Sequence, residues 1–193
     1  VQRTKLAAIE AEWHTEPAPA AFTLFGIPNQ KEMRTDYAIK IPYVMGMIAT
    51  RSTDKEVTGL HDLMKEHEIR IRNGMVAYSE LTKLRAGDQS PELLASFEKN
   101  QKDLGYGLLL KKYTPNVVDA TEEHIKAATK DTIPNVAALF FSFRAMVASG
   151  ALMLLLFLLA AWSVAKRNAE TKPWLLKFAL FALPLPWIAI QTG

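Results

Sequence analysis

The stretch AMVASGALMLLLFLLAAWSVA, residues 145–165, carries no charged side chain. At about 1.5 Å of rise per residue it is long enough to cross a hydrocarbon core of roughly 30 Å. It predicts a transmembrane helix, because a core helix apolar on every face needs a large apolar surround and the rest of the chain is too polar to wrap it. A second apolar run, WLLKFALFALPLPWIAI, predicts another span. Lys177 lies near its start, and Pro184 and Pro186 are set either to kink it or to mark its exit.

The pattern upstream is of another kind. Leu60, Leu63, Met64, His67, Ile71, Met75 and Tyr78 recur at helical spacing and predict a long amphipathic helix ending near Gly87. Ser90, Pro91 and Glu92 form a helix start, followed by Leu93, Leu94 and Phe97, with Gly105 as the expected stop. DATEEHIKAATKD predicts a further helix capped by Asp119 or Thr121. By contrast, residues 17–43 hold prolines at 17, 19, 28 and 42 among aromatic side chains, a pattern that predicts irregular structure packed on something else. There is no internal repeat and no low-complexity tract. The fold class is therefore mainly α, a membrane protein fragment in which a partly helical extracytoplasmic loop domain precedes two transmembrane helices.

Charge sharpens this division. The chain is 49% hydrophobic and 22% charged, an average typical of a soluble domain, yet from Pro134 onward the only carboxylate is Glu170. The connection between the spans is short and cationic, with Lys166, Arg167, Lys172 and then Lys177, and such connections stay in the cytoplasm. The first span then starts on the outer side, and residues 1–133 lie outside too; their lysines and arginines do not oppose this, because long loops translocate largely regardless of charge. The expected organisation is an extracytoplasmic segment 1–133, a transmembrane helix within 134–167, a short cytoplasmic loop 168–173, and a second, truncated transmembrane helix 174–193. The opening VQRTKLAAIE has no charged-then-apolar signal segment, so an upstream span is expected to supply the insertion signal. The absence of cysteine suits an oxidising exterior.

The common chemistries find no support. There is no cysteine, no histidine pair at ligand spacing and no Gly-rich phosphate loop, and His14, His61, His67 and His124 are scattered. Two features remain. In QRTKLAAIEAEW, Lys5 and Glu10 stand about 140° apart on a helix, too far around for an ion pair, whereas Lys5 and Glu12 would share a face. These charges are either a solvated helix face or a pair that flanks an amphipathic ligand, one donating a hydrogen bond and the other removing a proton. In FRAM, Arg144 stands near hydrocarbon, where a charge must be paired or snorkel to water. Met146 is either ordinary packing or a thioether available to haem iron, with the guanidinium holding a haem propionate.

Seven motifs, VQRTKLAAIEAEW, PAPAAFTLFGIP, RIRNGMVAY, KDLGYGLLLKKYTPNV, ATKDTIP, FRAMVASG and PLPWIA, stand in one order along the chain. Together they resemble subunit I of the cytochrome bd-type quinol oxidases: its long quinol-binding loop and the two membrane helices that follow. The resemblance implies a respiratory enzyme of the bacterial cytoplasmic membrane that oxidises quinol at the outer face and reduces dioxygen to water at haem. By position it implies that Lys5 and Glu10 bind and oxidise quinol, that Met146 is an axial ligand of the low-spin haem b, and that Arg144 lies beside that haem. It further implies a high-spin haem b and haem d held elsewhere in the full-length subunit, together with subunit II, small accessory subunits and membrane lipid as partners; nucleic acid is not among them. The fragment alone is not expected to be active. Two rival readings are a membrane-anchored extracytoplasmic binding or scaffold module without redox chemistry, and a transporter fragment with Arg144 on a substrate path.

Overall fold

The computed structural model describes residues 2–18, 21–43, 56–168 and 172–193. The chain divides into two compact units, Val1–Asn135 and Val136–Gly193. Pro19 and half of the connection expected to be cytoplasmic, residues 169–171 with Glu170, lie outside the described residues.

The first unit is built around one long helix. In chain order it comprises α1 (Arg3–Glu10), β1 (Phe22–Asn29), β2 (Arg34–Ile41), α2 (Leu60–Arg85), α3 (Pro91–Asn100), α4 (Leu104–Leu108) and α5 (Glu122–Asp131). Buried on α2 are Leu60, Leu63, His67, Ile71, Gly74 and Ala77, the apolar face that the spacing predicts, except that Gly74 and Ala77 occupy the centre of the line and Met75 and Tyr78 its edge. Ile71 packs with Leu110, Val117, Ile125 and Ala128 to form the core. The small residues are there because α2 meets α4 backbone to backbone. A side-chain carbon at Gly74 would run into the Asp103 carbonyl and the Gly107 backbone.

The helix ends follow local chemistry. After α2, Gly87 takes a left-handed φ of 102° that suits glycine. Thr121 caps α5, its hydroxyl accepting the His124 N–H at 3.4 Å. Gly105, the expected stop for α3, lies instead inside α4. The chain turns earlier, through a single 3₁₀ turn at Gln101–Asp103, because the Asp103 carboxylate is drawn into the interior. It accepts from Arg70 Nε at 2.6 Å and from Asn73 Nδ2 at 3.2 Å, while the Arg70 guanidinium lies over the Tyr106 ring. Burial alone would raise the Asp103 carboxyl, but these bonds outweigh it and hold it below the usual carboxylate range.

Residues 17–43 correct the expectation of irregular structure. β1 and β2 form an antiparallel hairpin, with Phe22 opposite Ile41, Thr23 opposite Lys40 and Phe25 opposite Ile39. Register shifts between Thr23 and Phe25 and between Phe25 and Ile27 break the simple alternation by which a strand is recognised. Pro28 is tolerated because each strand of a two-stranded ribbon has an open edge.

The second unit is a helical hairpin. Its first leg is α6 (Val136–Ala165), and its second is α7 (Pro173–Ala182) followed by α8 (Leu185–Thr192), both packed on α6. Both legs are long and apolar enough to cross a membrane. Large apolar side chains such as Leu154, Phe157, Leu158 and Trp162 face outward on α6, while Ser149 and Ser163 are buried. That distribution inverts a water-soluble helix and matches helices that meet through small residues inside lipid. Pro184 and Pro186 interrupt the second leg at Leu183 and Pro184, and the helix then resumes as α8. They kink the leg rather than end it, since neither can donate the N–H that a continuous helix requires.

Candidate functional site

The first candidate site is assembled around α1. Eight residues are too few to hold a helix in isolation, so α1 depends on α2. Arg3 makes two hydrogen bonds of 2.7 Å to the Glu66 carboxylate. The Thr4 hydroxyl lies 3.4 Å from His67 Nε2, and the other ring nitrogen of His67 is 2.8 Å from the Thr132 hydroxyl. Burial keeps His67 below its ordinary range, so the ring is neutral where α1, α2 and the end of α5 meet.

This anchoring places the two predicted residues differently. Lys5 is exposed, whereas Glu10 is 2% exposed at the last position of α1. The structure does not bring their side chains onto one face. Glu10 Oε2 accepts the backbone N–H of the buried Thr23 at 3.3 Å, which ties the end of α1 to the start of β1. A solvated helix face therefore describes Lys5 and not Glu10.

Immediately after Glu10 the helix ends, as Ala11 adopts a left-handed φ of 51° and the Glu12 N–H turns back to the Ala7 carbonyl at 2.9 Å. Glu12 consequently leaves the helical path, and the expectation that it shares a face with Lys5 fails. It reaches β2 instead, where Lys40 Nζ stands 3.4 Å from Glu12 Oε2 and also binds the Glu16 carboxylate. Glu12 is 8% exposed, and burial lifts its carboxyl to about 7 despite the opposing pull of Lys40. Burial also works against the Lys40 ammonium, but the bond to Glu16 and the two carboxylate charges outweigh it, so Lys40 stays charged.

Glu12, Glu16, Thr23, Thr35 and Lys40 border a cleft of about 240 Å³. One wall is Trp13, whose indole N–H donates to the Thr35 hydroxyl at 3.0 Å, while that hydroxyl donates to the Ala11 carbonyl at 2.9 Å. Trp13 also borders a second cavity of about 300 Å³ with Met33, Met64 and Ile133. Sequence reasoning misplaced Glu12 on the face of Lys5 and did not single out Lys40. The only available signal was the density of carboxylates after α1, which does not show that the helix breaks at an alanine.

The second candidate site lies on α6 in the other unit. Met146 is half-buried, and a side-chain carbon at Gly193 would stand 2.7 Å from its sulfur. The sulfur therefore packs closely against Gly193, and a thioether is a soft ligand of the kind that haem iron accepts. Arg144 stands two residues away, about 200° around the helix. Its guanidinium folds back over the Phe140 ring, 3.3 Å from the centroid, and donates to the Phe140 carbonyl at 3.1 Å. A guanidinium is a planar donor set of the kind that binds an acidic propionate. Among the described residues no cluster of three or more histidine, aspartate or glutamate side chains could hold a metal ion.

Comparison with known proteins supplies the context for both sites. The family described as cytochrome bd terminal oxidase subunit I matches residues 1–193. Over 193 residues the chain is 44% identical to the cytochrome bd-II ubiquinol oxidase subunit 1 of Escherichia coli (strain K12), covering all of this chain and 38% of that protein. Over 192 residues it is 24% identical to the cytochrome bd ubiquinol oxidase subunit 1 of Bacillus subtilis (strain 168), covering 29% of that protein. The chain thus spans only about a third of the length of these relatives.

Proposed function

Because the chain belongs to the cytochrome bd terminal oxidase subunit I family, we propose that it is the part of a respiratory terminal oxidase that supplies the quinol site and one ligand of the low-spin haem b. The complete enzyme oxidises quinol at the outer face of the bacterial cytoplasmic membrane and reduces dioxygen to water. It does so with a high-spin haem b and haem d held elsewhere in subunit I, and with subunit II, accessory subunits and lipid around it. Both relatives are named as ubiquinol oxidases, which supports a quinol as the reductant.

The observation that carries the quinol reading is the Glu10 carboxylate, 2% exposed and fixed by the Thr23 N–H at the end of an anchored helix. A carboxylate held in this way is positioned to take a proton from a hydroxyl. Lys5, exposed on the same helix, holds the quinol oxygen as a hydrogen-bond donor. In the second unit Met146 would ligate the haem and Arg144 would bind its propionate; the haem, when bound, supplies one-electron redox chemistry.

Glu10→Gln in the full-length oxidase keeps shape and hydrogen bonding but removes the base. Quinol turnover should fall by roughly 10²-fold to 10⁴-fold, while a donor that reduces the haems directly still supports oxygen consumption. Lys5→Ala should raise KM at least as clearly as it lowers kcat. Parental quinol kinetics in both variants would overturn the quinol assignment. Orientation is tested separately: a reporter active only in the cytoplasm should work when fused after Arg167 and be silent when inserted near Gly87. The reverse pattern would remove the outer quinol site.

A further inference from the structure

Glu10 is buried, so a proton that it accepts needs a way out. The hairpin provides one. Thr23 and Lys40 are direct cross-strand partners; the Thr23 N–H holds Glu10, and the Lys40 ammonium holds Glu12. Two neighbouring positions on one ribbon therefore fix both carboxylates, one on each side of the left-handed turn at Ala11. Thr23, Glu12 and Lys40 all border the 240 Å³ cleft, whereas Glu10 is buried and does not line it.

From this geometry we infer that Glu12 is the proton exit of the quinol site, receiving the proton from Glu10 and releasing it to water through the cleft under the control of Lys40. The inference rests on the reading of Glu10 as the quinol base. The step is proton transfer only. The O–H bond of protonated Glu10 breaks as an O–H bond forms on the Glu12 carboxylate; the Glu12 acid then gives its proton to water, and both carboxylates are restored.

The groups facing Glu12 are Glu10 from α1, His14 and Glu16 from the segment after it, and Arg34 and Lys40 from β2. Burial lifts the Glu12 carboxyl to about 7, so it can both accept and release a proton near neutral pH. The sign of the pH dependence follows. Only ionised Glu12 accepts, so turnover rises with pH through that region. Removing Lys40 takes away the pull that lowers the Glu12 carboxyl, and the rising limb must move to higher pH.

The test uses the purified full-length oxidase, with quinol turnover measured across pH beside turnover from a donor that reduces the haems directly. Glu12→Gln should lose roughly 10-fold or more of quinol turnover and the rising limb near neutrality, whereas Glu12→Asp should retain both in part. Lys40→Met should shift the limb upward, and Lys40→Arg should leave it near its parental position. Haem content and direct-donor turnover establish assembly in each variant. If Glu12→Gln does not assemble, the Lys40 pair decides: an unmoved limb in Lys40→Met overturns the exit. Parental rate and pH profile in Glu12→Gln also overturn it and leave a structural ion pair. Loss of turnover in Glu10→Gln alone would sink the exit and keep the quinol base, whereas parental turnover in Glu10→Gln sinks the base itself.

Discussion

Met146→Leu in the full-length subunit should abolish the low-spin haem b signal, or shift both its spectrum and its potential, while the subunit still assembles. Leucine has a similar volume and apolarity, so packing along α6 changes little. What it lacks is the sulfur lone pair that iron accepts. The sulfur packs beside Gly193, which follows α8. An optical spectrum and a redox titration of the purified variant provide the readout. An unchanged spectrum would return Met146 to simple packing and leave the haem ligand to be sought elsewhere.

An equally large effect is expected on stability from Gly74→Ala. The added carbon would enter the Asp103 carbonyl and the Gly107 amide, both of them main chain, so no side chain can swing aside. α2 and α4 would have to separate, which also pulls Asp103 away from Arg70 and Asn73. The cost should reach about 3 kcal/mol or more, at the upper end of overpacking changes, and should appear as early proteolysis of the loop in the intact oxidase. Gly105→Ala is the internal control. Nothing lies within 4 Å of an added carbon there, and the helical position gains about 0.5–1 kcal/mol from the better helix former. Equal protease resistance of Gly74→Ala and the parent would refute the close helix contact.

What the sequence could reveal followed from how local each determinant is. The long face of α2 and the apolar runs of the second unit repeat over many turns, so their periodicity survives exchange of individual residues. The hairpin did not announce itself, because two register shifts and Pro28 disturb its alternation. Glu12 was misplaced for a related reason: a helical wheel assumes that the helix continues, and Ala11, an excellent helix former, gives no sign of a left-handed turn. Contacts from β1, β2 and the start of α2 hold the chain on either side of that turn. Gly105 illustrates the converse, a residue that often ends helices overruled by the buried Asp103 beside it. The pairing of Thr23 with Lys40 joins residues far apart in the chain, and no local pattern encodes it.

The dependence of α1 on α2 also sets an order of events during synthesis. Arg3 and Thr4 find their partners only at Glu66 and His67, and the carbonyls of Glu12 and Trp13 accept from Leu60 and His61. While the chain is emerging, α1 is complete in sequence but has nothing to hold it. It must remain largely unwound until α2 has followed, because a helix of eight residues does not persist in water. The segment that carries Glu10 is thus made before α2 and takes its shape only after it. A loop whose α2 fails to form leaves Glu10 without its anchored helix, so the role proposed for Glu10 would depend on the folding of a helix that begins only at Leu60.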